Sequence, residues 1–256
     1  MIDLAAIKQL STKYQINQYV VAREYLQIVV LKELYEENFS KDIFFKGGTA
    51  IRIVYGGQRF SEDLDFTSQA TEGFEDKINK FFQNLTNNYP VTFKERKSLT
   101  GKSYLLTGKI ESLSSPVFIR TDFSLRENVL EPTNQILRTD YPVIVQNFIR
   151  TLSKNEMLAE KVRAIIKRKK HRDIYDFWVL LELGAEFNTT LISKKMEFYG
   201  EKFDKNTLLK ELGKFNKDDF TRDLSPLVSY QDKERLPQLF DYVLAYATKA
   251  VSLQTN

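Results

Sequence analysis

At 256 residues, with 42% hydrophobic and 28% charged side chains, the chain can bury one or two cores and is not disordered by composition. A net charge of +4 and a pI near 8.9 permit a polyanionic partner without demanding one. The absence of cysteine excludes disulfides and thiolate metal sites, and a single histidine, His171, excludes a histidine-rich zinc site. The opening MIDLAAIKQL carries acid where a secretory leader carries base, and no apolar run approaches the roughly 18 residues of a membrane span. The expectation is a soluble, cytoplasmic protein with no membrane partner.

Residues 3–38 read as one helix, because Ala22, Tyr25, Leu26, Val29, Val30 and Leu34 recur at helical spacing with no Pro or Gly. Ile43-Phe44-Phe45 then forms an apolar strand that runs into Gly47-Gly48; Thr49 opens a short helix, Gly56-Gly57 ends it, and a second strand closes at Phe66. Residues 71–88 are predicted helical, with Phe74, Ile78, Phe81, Phe82 and Leu85 in one stripe and Asn87-Asn88-Tyr89-Pro90 as the stop. Strands are predicted over 91–97, 103–112 and 116–125, joined by turns at Thr100-Gly101-Lys102 and Ser114-Ser115-Pro116. Residues 136–145, with Pro142 inside, read as an irregular link. From Asn155 onward the pattern is helical, with breaks at Gly184, Gly200, Gly213 and Pro226. The predicted class is α/β (α+β), with an N-terminal domain over 1–150 built on a small mixed sheet and a helical C-terminal domain over 151–256.

The chemistry concentrates in 44–66. If Leu64 and Phe66 point into a core, Asp63 and Asp65 share the opposite face, since strand side chains alternate. Adjacent carboxylates repel and are kept together more readily when a cation or proton offsets the repulsion; oxygen-only ligands favour Mg²⁺ or Mn²⁺. The Gly47-Gly48 turn lacks Cβ atoms and lets backbone N–H groups approach a phosphate, while Thr49 opens a helix whose positive end favours anions. A phosphate cradle and a divalent-metal site in one unit suggest phosphoryl or nucleotidyl transfer. Asp122, in Val117-Phe118-Ile119-Arg120-Thr121-Asp122-Phe123, supplies a third acid if its strand lies beside the first. The alternative is an aspartate that faces water or caps a turn.

Residues 161–172 hold seven Lys or Arg and no acid. On a continuous helix Lys161, Arg168, Arg172 and Asp176 fall in one stripe, with Leu158, Val162, Ile165 and Ile166 as the adjoining apolar arc. Lys170 falls inside that arc, which allows a break near Lys169-Lys170-His171 and a restart at Arg172-Asp173. The run is either a solvated face or, through Lys167, Arg168, Lys169, Lys170 and Arg172, a contact for an RNA backbone. His171 reads as a surface residue or a phosphate contact, and Tyr175, Phe177 and Trp178 as core. Lys46 reads as a strand-end residue; Ser61, just before the metal strand with Arg59, serves either a phosphate or the turn.

Gly47-Gly48-Thr49-Ala50 followed by Arg59-Phe60-Ser61-Glu62-Asp63-Leu64-Asp65-Phe66 resembles the first signature of the AbiEii/AbiGii-type nucleotidyltransferase toxins, within the DNA polymerase β-like superfamily. Glu160-Lys161, Ala164, Arg168 and Arg172-Asp173-Ile174-Tyr175-Asp176 resemble the second. The resemblance implies that Asp63 and Asp65 bind the catalytic metals, with Asp122 as third acid. It also implies that Gly47, Gly48 and Thr49 contact the triphosphate of an NTP, that Lys161 neutralises it, and that Asp176 completes the site from the helical domain. It further implies the toxin of a toxin–antitoxin pair, with a cognate antitoxin as partner and a tRNA 3′ end as acceptor. Two rivals are a small-molecule (aminoglycoside-type) nucleotidyltransferase and a non-catalytic RNA- or nucleotide-binding module.

Overall fold

The structure, a computed structural model, describes residues 1–69, 73–111 and 113–253. It divides into two compact units: Met1–Gly56 with Phe60–Thr151, and Gly57–Arg59 with Leu152–Asn256. The predicted helix start at Thr71 and strand end at Ser112 lie outside the described residues.

The first unit opens with two helices rather than one, α1 (Leu4–Tyr14) and α2 (Gln18–Glu36). Neither Pro nor Gly makes this break. Gln15 takes a left-handed backbone conformation (φ 50°), and Asn17 restarts the helix by accepting from the Tyr19 N–H at 2.8 Å. A 3₁₀ turn (Asn38–Asp42) then leads into β1 (Ile43–Lys46), α3 (Gly47–Ile53), β2 (Leu64–Ser68) and α4 (Phe74–Asn88). The hairpin β3 (Val91–Arg96) and β4 (Gly101–Gly108) follows, then β5 (Val117–Ser124) and the two short strands β6 (Pro132–Gln135) and β7 (Ile149–Leu152). Neither of the last two was legible in the sequence, since β6 is a proline followed by three polar residues and β7 pairs with β1 through a single register position, Phe45↔Thr151.

The seven strands form one mixed sheet in the order β3-β4-β5-β2-β1-β7-β6. β2 pairs antiparallel with β1 and parallel with β5, so the two strands carrying aspartates are direct neighbours. One face of this centre is aromatic. Phe66 stacks on Phe123 at 4.9 Å and lies 5.3 Å from Phe45, and Tyr104 and Phe74 close on Phe123 edge-on. Each of these rings is buried, and burial of a Phe side chain stabilises by about 1.5–3 kcal/mol. That packing holds the alternate residues of β2 and β5 to the opposite face, because a one-residue slip would turn every ring outward.

The second unit is helical: α5 (Lys154–Arg168), α6 (His171–Glu182), α7 (Thr189–Glu197), α8 (Lys205–Leu212), α9 (Lys217–Leu224), α10 (Tyr230–Lys233) and α11 (Leu236–Ser252). Gly184 and Gly200 end helices at positive φ, Gly213 caps α8, and Pro226 sits in a 3₁₀ turn. The basic run breaks at Lys169, which adopts φ 51°, and the helix restarts at His171, a residue earlier than the sequence suggests. Phe177 and Tyr175 are core and Trp178 is half-buried. No helix among the described residues is long and apolar enough to cross a membrane.

Candidate active site

In the first unit, Gly47 ends the apolar strand at φ 79°, a conformation that side chains rarely adopt. A Cβ there would collide with the Asp65 Oδ2 atom and come within 3.1 Å of its Cβ and Cγ. The glycine is therefore needed twice, for the turn and for the space that the Asp65 carboxylate fills. Thr49 is buried and its hydroxyl donates to the Asp63 backbone carbonyl. A hydroxyl has one proton to give, so Thr49 as it stands fastens α3 to the start of β2 instead of presenting a donor to phosphate. Ser61 lies in the loop before β2, where Gln27 Nε2 donates to its backbone carbonyl at 3.2 Å.

Leu64 and Phe66 are fully buried, and Asp63 and Asp65 lie on the other face of the strand. The register places Asp65 opposite Asp122 and Leu64 opposite Thr121, which sets Asp63 across from Arg120. Asp63 just before β2, Asp65 within it, and an arginine and an acid from β5 thus form one patch. Arg120 binds both sides of it: Nη2 lies 2.6 Å from Asp63 Oδ2, and Nε lies 2.9 Å from Asp122 Oδ2. Ser103 Oγ donates to the other Asp122 oxygen at 2.5 Å. With these side chains so arranged, no group of three Asp, Glu, His or Cys side chains among the described residues is disposed to hold a metal ion. The donor set nevertheless suits a hard divalent cation, being carboxylate oxygen throughout, and the guanidinium already supplies a positive charge there.

Beside this patch lies a second polar group. Lys46, opposite Asp65 in the β1–β2 register, pairs with the buried carboxylate of Glu127, which also accepts from Thr67 Oγ1 at 2.8 Å and Ser124 Oγ at 2.6 Å. Lys46 is thus more than a strand-end residue. Sequence reasoning missed Arg120 and Glu127. The signal for Arg120 was present, because Arg120-Thr121-Asp122 puts the arginine and the aspartate on the same face of a strand; Glu127 follows its strand and gave none.

In the second unit, three cations surround two buried acids. Arg59 grips Asp176 with Nε and Nη2, both at 2.6 Å. Lys161 Nζ lies 2.6 Å from Asp176 and 2.9 Å from Asp173, and Arg168 forks onto Asp173 at 2.8 and 2.9 Å. Burial alone would raise both carboxyls. For Asp173 the neighbouring Lys161 charge and the Arg168 hydrogen bond outweigh it, and for Asp176 the Arg59 and then the Lys161 charge does, so both are held below the usual carboxylate range. The predicted stripe on one helix is replaced by two helices facing each other, with cations from α5 on acids from α6. His171 is buried rather than superficial: its ring packs edge-on against Phe215 at 4.9 Å, and Nε2 accepts from the Asn216 N–H at 3.3 Å. Lys167 and Lys169 are exposed and pair with Glu201 and Glu211 at 3.4 Å, while Lys170 is exposed and Arg172 half-buried.

Comparison with known proteins gives the family and the fold. The family described as "Nucleotidyl transferase AbiEii toxin, Type IV TA system" matches residues 29–245. No curated protein matches the chain by sequence. Among solved structures, the chain is similar in fold to MenT4, the nucleotidyltransferase toxin Rv2826c of Mycobacterium tuberculosis H37Rv (TM-score 0.56, 14% identity, 98% of this chain and 94% of that one). It is also similar to JHP933 of Helicobacter pylori (TM-score 0.54, 16% identity, 93% and 95% of the two chains). With both signatures and most of its length inside the match, the chain belongs to the AbiEii family of nucleotidyltransferase toxins of type IV toxin–antitoxin systems.

Proposed function

We propose that this nucleotidyltransferase moves NMP from an NTP to a hydroxyl acceptor at the 3′ end of tRNA, with loss of pyrophosphate, and that it does so with Mg²⁺ or Mn²⁺. The observation that carries the reading is the patch of Asp63, Asp65 and Asp122 beside the Gly47-Gly48 turn. Those three carboxylates would hold the metal, which when bound polarises the α-phosphate and lowers the pKa of the attacking hydroxyl. Backbone N–H groups at Gly47 and Gly48, with Ser61, meet the phosphates. Lys161 offsets the charge of the triphosphate, and Asp173, Asp176 and Arg59 fix the position of its ammonium group. The exposed Lys167, Lys169 and Lys170, with Arg168 and Arg172, support an RNA acceptor. The surface ion pairs of Lys167 and Lys169 are weak, worth about 0–1 kcal/mol, and exchange readily for RNA phosphates. A cytoplasmic toxin held by a cognate antitoxin completes the proposal.

The test is incubation with each α-³²P-labelled NTP, Mg²⁺ and total bacterial RNA, with Asp65→Ala as control. Label should enter tRNA-sized RNA from a preferred NTP and vanish in the control. Binding of NTP and metal without labelled RNA would instead indicate a small-molecule or protein acceptor. Failure to bind either would indicate a binding module.

A further inference from the structure

The patch on β2 and β5 contains three carboxylates and one guanidinium, and the guanidinium is doubly engaged. Arg120 reaches Asp63 with Nη2 and Asp122 with Nε, so the two acids at opposite corners of the patch share one cation. The Arg120 side chain is 38% exposed, against 21% for Asp63 and 36% for Asp122. An ion pair that open to water is weakly held. Asp65 is lodged against Gly47, and Asp122 keeps the Ser103 hydroxyl on its other oxygen, so these two acids stay in place when the arginine goes.

The oxygens that Arg120 occupies, Asp63 Oδ2 and Asp122 Oδ2, belong to the carboxylates assigned above to the metal. Like charges this close need a counter-ion in the unloaded protein, and two cations on one pair of carboxylates repel. We propose that Arg120 is the resident counter-ion of the unloaded patch, that a divalent cation binds in competition with it, and that nucleotide phosphate is the acceptor to which the displaced guanidinium turns. Metal and nucleotide then bind cooperatively through one side chain: each favours the arrangement in which Arg120 has left the acids. The inference rests on the metal-dependent reading above and assigns Arg120 a positioning role within it.

Mn²⁺ binding followed by electron paramagnetic resonance tests this without recourse to activity. The comparison is between the full-length protein, Arg120→Met and Arg120→Lys, each with and without a non-hydrolysable NTP analogue. Removal of the competing charge should tighten Mn²⁺ binding by on the order of tenfold in Arg120→Met without nucleotide. Arg120→Lys, which keeps the charge but not the fork, should fall between. The analogue should tighten Mn²⁺ binding by the wild-type chain, and this gain should shrink in Arg120→Met. Should Arg120→Met fail to fold, the Lys variant and the wild-type gain still decide the matter. Equal or weaker Mn²⁺ binding by the variants, with wild-type binding intact and lost in Asp65→Ala, would overturn the role of Arg120 alone. No Mn²⁺ binding by any chain, with or without analogue, would overturn the metal-dependent reading and this inference with it.

Discussion

The carboxylates of the two units are held in different ways. In the first, Asp63 and Asp122 are part-exposed on a strand face and share one part-exposed cation, with Asp65 lodged beside them against Gly47. In the second, Asp173 and Asp176 are sealed from water among Arg59, Lys161 and Arg168. A part-exposed patch contributes little to stability and is suited to taking up a cation. A network on buried acids is sensitive to the loss of a buried member, because the buried partners left behind stay desolvated. The same residue type is therefore part-exposed and cation-accessible in one unit and buried in a bonded network in the other.

The largest expected stability effect follows from breaking the second arrangement. Asp176→Asn leaves the Arg59 fork and one Lys161 contact without their anion in a dry interior, and should lower unfolding stability by about 3–5 kcal/mol. Urea denaturation measures this; a loss below about 1 kcal/mol would place Asp176 with the open patch instead.

A smaller effect appears with pH. The folded values of Asp173 and Asp176 are depressed, so their contribution is present above the unfolded value of 3.8 and is lost as pH falls through the folded values. The urea midpoint should hold level from neutrality to about pH 5 and fall below about pH 4. That acid limb should be shallower in Asp176→Asn, and an unchanged limb would mean that other carboxylates govern it.

What the sequence disclosed follows the range of the interactions. The unit from Ile43 to Phe66 was legible because its signals are local: an apolar triplet, two glycines and an alternating Asp-Leu-Asp-Phe. Asp122 was legible as a candidate because alternation puts it on the face away from Phe123, and the parallel register met the condition of adjacency. The Arg120 bridge was not, since it depends on which residue of β2 faces it across the sheet. The network around Lys161 was half legible. The basic run and the break near Lys169 could be read from the helical wheel, but not that the returning helix would turn Asp173 and Asp176 onto Lys161. His171 misled because a polar residue in a basic run reads as exposed, whereas its ring is buried with Phe215 edge-on to it and the Asn216 N–H on Nε2.

The most direct test of the contrast is to measure thermal unfolding and nucleotidyl transfer together for Asp65→Asn. Removing one charge from the open patch relieves repulsion, so the melting temperature should stay level or rise while transfer falls on the order of a thousandfold. A melting temperature several degrees lower with transfer retained would contradict the account, and would make Asp65 a structural carboxylate like those of the second unit.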